Sequence, residues 1–172
     1  MDTGTSNNTL LSPKSVRGYL KLAYQIALAS EDESTQNGVV LVGSNFTTTG
    51  WNQTTKGIPY SRVQKDPSTK YDFVEHAERS VIYKAARMGY STNGSVLFAP
   101  WSACSDCARA IVQANISTVY RLQKALDHSP ERWLTSIELG DEILLSGGVR
   151  VVSVEGDLDG PEVRFNGEIW RP

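Results

Sequence analysis

Apolar positions along the chain recur at two spacings, and the alternation between them predicts the elements. Val16, Leu20, Ala23 and Ala27 repeat at helical spacing, with Tyr19 and Ile26 widening the stripe. Ser12-Pro13 in front of them reads as an N-cap followed by the first helical residue, so a helix is expected from there to about Ala29. The run GVVLV at 38–42 predicts a strand, Ser44-Asn45 a turn, and 46–51 a second strand that closes a hairpin. Residues 53–72 show no periodicity and contain Pro59 and Pro67, so they read as a long loop of the kind that often carries function. From Glu75 to Met88 a helix is expected, with Ala77, Val81, Ala85 and Met88 on one face and Gly89 as the stop signal. A strand at 95–99, a helix at 105–115 and a strand at 117–122 follow. A further helix opens at Ser129-Pro130 and runs through Trp133, Ile137 and Leu144 to Gly147-Gly148, and a last strand covers 149–154. Residues 1–11 are polar and read as loose; the tail from 156 is acidic and ends in RFNGEIWRP.

The order is α, β, β, α, β, α, β, α, β. Strands alternating with helices after an opening hairpin predict an α/β fold with a mixed sheet between two helical layers. With 172 residues and no internal repeat or linker, residues 1–172 are expected to form one domain with a sizeable core. Composition is ordinary, at 40% hydrophobic and 21% charged. A net charge of −2 and a pI near 5.7 argue against a protein that grips a long nucleic-acid backbone, which wants a basic face. A small phosphorylated ligand needs only a few local cations and stays open. No apolar run follows the opening MDTGTSNN and no stretch is long enough to span a bilayer, so no membrane association and a cytoplasmic location are expected. In a reducing compartment the two cysteines, spaced C-x-x-C, favour metal or redox chemistry over a structural disulfide.

The chemistry-bearing residues fall at two predicted helix starts. His76-Ala77-Glu78 opens one helix, and Ser102-Ala103-Cys104-Ser105-Asp106-Cys107 opens the next. A catalytic zinc uses three protein ligands and leaves a fourth position to water, and one imidazole with two thiolates fits that count. Thiolates at helix N-termini are favoured by the positive end of the dipole, and zinc lowers the pKa of water bound at its open position. Glu78 need not be a ligand; beside that water it can carry protons as a general acid and base. A redox C-x-x-C would be expected after the first strand of its fold, whereas this one comes late and follows His-Ala-Glu. A closed structural zinc would want a fourth ligand, and only His128, in a predicted loop, is left.

H-x-E followed by P-C-x-x-C is the general signature of zinc deaminases, and the chain resembles the deoxycytidylate (dCMP) deaminase branch of the cytidine deaminase superfamily. HAERSVIYKAARMG is similar to that family's H-A-E-x-N-A-I-x-x-A-A-R-x-G, and SACSDCARAIVQANISTVY to S-P-C-x-x-C-A-K-A-I-x-Q-x-G-I-x-x-V-Y. Gly50-Trp51-Asn52 matches its G-Y-N, and the resemblance covers roughly residues 16–153. It implies a three-layer fold with a five-stranded mixed sheet, one zinc per chain on His76, Cys104 and Cys107, and Glu78 as the catalytic carboxylate. It also implies that Asn52 contacts the substrate sugar and that backbone around Ala77 and Ser102 reads the pyrimidine edge. Tyr120 would line the pocket, and Arg87 would lie near the phosphate or a subunit boundary. Three departures stand out: Ala103 replaces the proline before the first cysteine, Ser80 replaces the family asparagine, and Trp51 to Gly57 (WNQTTKG) replaces a glycine-rich loop. Relatives use that loop in control by dCTP and dTTP, and such control is therefore not implied here. Lys56, Arg62, Lys65 and Lys70 against Asp66 read either as a solvated loop or as a cationic lip over a phosphate, with Lys56 a candidate contact.

The expected function is zinc-dependent hydrolysis of dCMP, or a 5-modified dCMP, to the uracil nucleotide and ammonia. The alternatives are a tRNA adenosine or free nucleoside or base deaminase and, of another class, a zinc-stabilised nucleotide-binding module without catalysis. Expected partners are a small nucleotide, with Mg2+ as a companion a bound nucleotide could bring, and further copies of the chain in a homo-oligomer.

Overall fold

In the computed structural model, which describes residues 11–172, Ser12 caps the first helix, α1 (Pro13–Ala27). Its hydroxyl accepts from the Ser15 N–H at 3.2 Å, and Pro13 takes the first position, where no N–H is needed. The loose segment expected at 1–11 lies, apart from Leu11, outside the described residues. The hairpin follows as β1 (Gly38–Val42) and β2 (Thr47–Trp51). Residues 53–72 are not the structureless loop that their lack of periodicity predicts. They begin with the short strand β3 (Gln53–Thr54) and hold α2 (Ser61–Lys65), a 3-10 turn (Pro67–Thr69) and α3 (Lys70–Phe73); β4 (Val74–Glu75) then pairs with β3. These pieces are too short for a periodic signal, and the prolines that argued for a loop start or border them.

The rest keeps the predicted order with ends trimmed, except for one short helix where a loop before Ser129 is predicted: α4 (Ala77–Arg87), β5 (Val96–Phe98), α5 (Ser105–Gln113), β6 (Thr118–Leu122), the added α6 (Gln123–Asp127), α7 (Glu131–Ser146) and β7 (Arg150–Val154). The start of α4 moves from Glu75 to Ala77 because Val74 and Glu75 pair in a strand. The acidic tail, to which the sequence pattern assigns no element, ends in a hairpin, β8 (Val163–Phe165) and β9 (Glu168–Trp170).

The main sheet has the order β2-β1-β5-β6-β7, with β1 antiparallel to both neighbours and β5, β6 and β7 parallel. Alternation along each strand divides the core into two layers. Val39, Leu41, Leu97 and Val119 face α4, α5 and α7, whereas Val40, Phe98, Tyr120 and Leu122 face α1 and the C-terminal hairpin. β1 is antiparallel to both neighbours, yet it lies inside the sheet and is covered on both faces, which explains why GVVLV is an unbroken apolar run. The described residues contain no helix long and apolar enough to cross a membrane.

Gly50 sets how closely β2 approaches α4. A Cβ there would stand 2.7 Å from the Ala77 carbonyl oxygen and the Val81 nitrogen, both backbone atoms that cannot swing aside. Gly50→Ala is expected to cost about 1–3 kcal/mol, the usual range for overpacking, read as a lower thermal midpoint. An unchanged midpoint would mean that strand and helix can part at no cost.

Candidate active site

His76 and Cys104 occupy equivalent places. Each is the extended N-cap residue of its helix, α4 and α5, and neither helix start has a side-chain cap of the ordinary kind. Cys107 lies in the first turn of α5, so three donors meet where two positive helix ends converge. His76 Nδ1 lies 3.6 Å from each sulfur, and all three donor atoms lie within 4.8 Å of one another. Tetrahedral zinc, with Zn–N near 2.0–2.1 Å and Zn–S near 2.3 Å, has an N–S edge of about 3.5 Å. The donor set therefore fits zinc in kind, number and separation, and three ligands leave one position open.

Glu78 is 2% exposed, and its Oε2 lies 3.6 Å from Cys107 Sγ. Burial holds its carboxyl above the ordinary range despite the opposing imidazole. Burial pulls the His76 imidazole down, but its hydrogen bond to Cys104 and the charge of Glu78 outweigh that and leave it raised. Between the sulfurs, the hydrogen bond lowers Cys104 to about 4, while the same bond and then burial push Cys107 well up. Without metal the pair thus behaves as one thiolate and one thiol. Arg79 donates from Nη1 to Cys107 Sγ at 3.5 Å and from Nε to Glu75 Oε2 at 2.6 Å, a contact that orients a ligating sulfur and disperses its charge.

Ala103 stands where the resemblance expects proline, and the rigidity is supplied from outside by α7. Gly140 sits so close to the Ala103 carbonyl that any Cβ would collide with it, and Ser136 Oγ accepts from the Ser105 N–H at 3.1 Å. The cysteine turn is wedged in place without a fixed φ.

Above the donors opens a cleft lined by apolar, aromatic and a few polar side chains. Tyr71 and Trp133 meet the His76 ring edge-on, with centroids at 6.1 and 5.7 Å. Trp101 forms another wall, its ring stacked on Phe165 at 3.7 Å and 10°. Asn52 and Ser102 line the cleft as the resemblance implies. Asn52 is locked: its Oδ1 accepts from the Ala77 N–H at 2.9 Å and its Nδ2 donates to the Thr35 carbonyl at 3.0 Å. The Ala77 amide, expected to face a pyrimidine, is thus spent on Asn52. Ser102 Oγ accepts from Arg121 Nη1 at 3.3 Å, and Asp141 holds that guanidinium at 2.7 and 2.9 Å.

Tyr120, Arg87 and Lys56 do not line the cleft. Strand alternation turns Tyr120 toward the α1 layer, where its ring stacks on Phe98 at 5.2 Å. Arg87 is exposed at the far end of α4 from His76, roughly 15 Å away along an 11-residue helix. Lys56 is exposed beyond β3. Of the cationic loop, only Lys70 reaches the cleft, where its Nζ meets Asp32 Oδ2 at 2.7 Å; Arg62 lies over the Phe73 ring instead. Asp32, Trp101, Arg132 and Phe165 line the cleft without having been singled out from sequence. For Phe165 a signal was present. Asn166-Gly167 between two short apolar stretches marks a tight hairpin turn, and both residues have positive φ, 53° and 85°.

The model of the cytidine and deoxycytidylate deaminase zinc-binding region matches residues 13–123. A protein of Aliivibrio fischeri described as an uncharacterized deaminase in the luxG 3′ region is 27% identical over 146 residues, covering 84% of this chain and 97% of that protein. The deoxycytidylate deaminase of Enterobacteria phage T4 is 34% identical over 79 residues, 46% of this chain and 37% of that enzyme. Among solved structures, the dCMP deaminase of cyanophage S-TIM5 in complex with dCMP and dUMP superposes with a TM-score of 0.66 at 25% identity, covering 84% of this chain and 99% of that one.

Proposed function

Because the chain belongs to the cytidine and deoxycytidylate deaminase zinc-binding family and is a zinc-dependent deaminase, we propose that its substrate is a cytosine deoxynucleotide, dCMP or a 5-substituted dCMP, hydrolysed to the uracil nucleotide and ammonia. The observation that carries this reading is the cleft itself. It places an open-sided His/Cys/Cys donor set and a buried, non-ligating carboxylate at the bottom of aromatic walls that fit a flat heterocycle. A purely structural zinc gives no reason for Glu78 to be buried there at the cost of its charge.

Zinc, when bound, supplies the Lewis acidity that brings the pKa of water toward neutrality. Glu78 would take one proton from the water that adds to C4 and deliver it to N3, then take the second from the new C4 hydroxyl and deliver it to the departing amine, so that both protons of the water end on the ring nitrogen and on ammonia. Burial raises the proton affinity of Glu78 above that of an ordinary carboxylate, which suits a group that must hold a proton as well as take one. Asn52, fixed at both ends of its amide, forms part of the wall that sets the sugar, and Ser102 the edge of the ring. Tyr71 and Trp133 exclude water beside His76.

Ammonia release should be measured with dCMP, 5-methyl-dCMP, CMP, deoxycytidine, cytosine and a tRNA stem-loop. Turnover is expected with the deoxynucleotides first. A preference for the stem-loop or for free cytosine would replace the substrate, and no turnover on any arm would favour a non-catalytic binding module.

A further inference from the structure

The wall of the cleft that lies beyond the matched family region is built by α7 and the C-terminal hairpin. Arg132, Trp133 and Phe165 all follow residue 123, yet all three line the same cleft as His76 and Glu78. The hairpin is held there by hydrogen bonds with residues 34–36. Gln36 N–H donates to the Arg164 carbonyl at 2.9 Å, Gly167 N–H to the Ser34 carbonyl at 2.8 Å, and Asn166 N–H to Thr35 Oγ1 at 3.1 Å. Asp32, Thr35 and Asn37 of that segment line the cleft as well.

Two cations line this cleft, and they differ in what they already hold. Lys70 is neutralised by Asp32, which is itself 3% exposed and fixed by the N–H groups of Ser34 and Thr35. Arg132 is exposed and makes no ion pair among the described residues. Its Nη2 donates to Asn166 Oδ1 at 2.6 Å, a neutral acceptor that orients the guanidinium without cancelling its charge. Arg132 and Trp133 line the same cleft as the metal donors, and the Trp133 ring stands against His76, so one ligand can touch both the donor end and the guanidinium.

We propose that Arg132, oriented by Asn166 of the C-terminal hairpin, binds the 5′-phosphate of the substrate and makes this a nucleotide site rather than a nucleoside site, with Phe165 and Trp101 as the wall along which the nucleotide lies. The assignment rests on the cytosine-nucleotide reading above for the base, and on the cleft alone for the phosphate. A planar guanidinium with free donors is suited to a phosphate, which it can take through two parallel hydrogen bonds. Asn166 is a positioning residue: its carboxamide steers Arg132, while its backbone holds the left-handed turn.

The test is binding of dUMP and of deoxyuridine to the zinc-loaded full chain by calorimetry, beside dCMP turnover. The wild-type protein is expected to prefer dUMP by about 10- to 100-fold, the range of a charge-assisted contact. Arg132→Ala should collapse that preference, Arg132→Lys should restore part of it, and zinc content should not change. Asn166→Gly removes the carboxamide while leaving a residue that tolerates positive φ, and should raise KM for dCMP several-fold with little change in kcat. A wild-type protein without preference, or an Arg132→Ala protein that keeps it, overturns the assignment. Wild-type kinetics in Asn166→Gly overturn the part given to the hairpin. A dUMP preference that depends on Arg132 in a protein that does not deaminate dCMP upholds the phosphate site and sinks the proposed reaction instead.

Discussion

Glu78→Gln is expected to leave one zinc per chain and to lower turnover by about 10²- to 10⁴-fold, the contribution of a positioned acid–base group. Glutamine fills the same buried space but can neither take a proton nor give one. The structure separates this loss from a folding defect. In the metal-free fold the buried Glu78 carboxyl binds its proton more tightly than it would in an unfolded chain. The native state then holds more protons than the unfolded state between the two pKa values, and stability falls as pH rises through that interval. The neutral replacement removes this penalty, so the metal-free variant should melt at or above the wild-type midpoint at pH 7. Zinc stoichiometry by elemental analysis, turnover and the midpoint together decide the matter. Activity within a few-fold of wild type would remove Glu78 from the chemistry.

Cys107→Ala is expected to abolish both zinc and turnover, by more than about 10³-fold in rate, since the Lewis acid and its water are lost together. The sulfur is wholly buried and lies 3.6 Å from both His76 Nδ1 and Glu78 Oε2, so no nearby water can replace it without a cavity. Removing zinc from the wild-type protein with a chelator should reproduce the effect, and added zinc should reverse it in the wild type only. The direction with pH follows from the metal-free thiols. Cys107 holds its proton well above the ordinary range while Cys104 has lost its own, so loading zinc displaces the Cys107 proton, and affinity should rise with pH. An alanine variant that still carries a full equivalent of zinc would overturn the ligand set.

How much of this was legible from sequence depends on the length over which each signal repeats. The long helices announce themselves because Val16, Leu20, Ala23 and Ala27, or Ile137 and Leu144, recur over several turns. The metal donors are legible for another reason: His-Ala-Glu and Cys-x-x-Cys place their side chains by local geometry at two helix starts, with little help from tertiary structure. The substrate-facing part lacks both kinds of signal. Lys70 and Asp32 meet across 38 residues, and Phe165 reaches Trp101 across 64, so neither contact leaves a local pattern. The four lysines and arginines between 56 and 70 looked alike in sequence; the fold sends one to a buried aspartate, lays one on an aromatic ring and leaves two in solvent. Tyr120 shows the converse. Matching a motif placed it in the pocket, but the strand turns alternate side chains to opposite faces, and its place fell in the α1 layer.

The stacking of Phe165 on Trp101 also orders events in time. Synthesis makes the metal donors and Glu78, all within residues 76–107, before residues 163–170. The wall that Phe165 builds is therefore younger than the donors it flanks, and without it the indole of Trp101 would stand bare on that side. The hairpin that closes this flank is tied to residues 34–36, so that side of the cleft is complete only when the late-made hairpin has docked on the early-made segment.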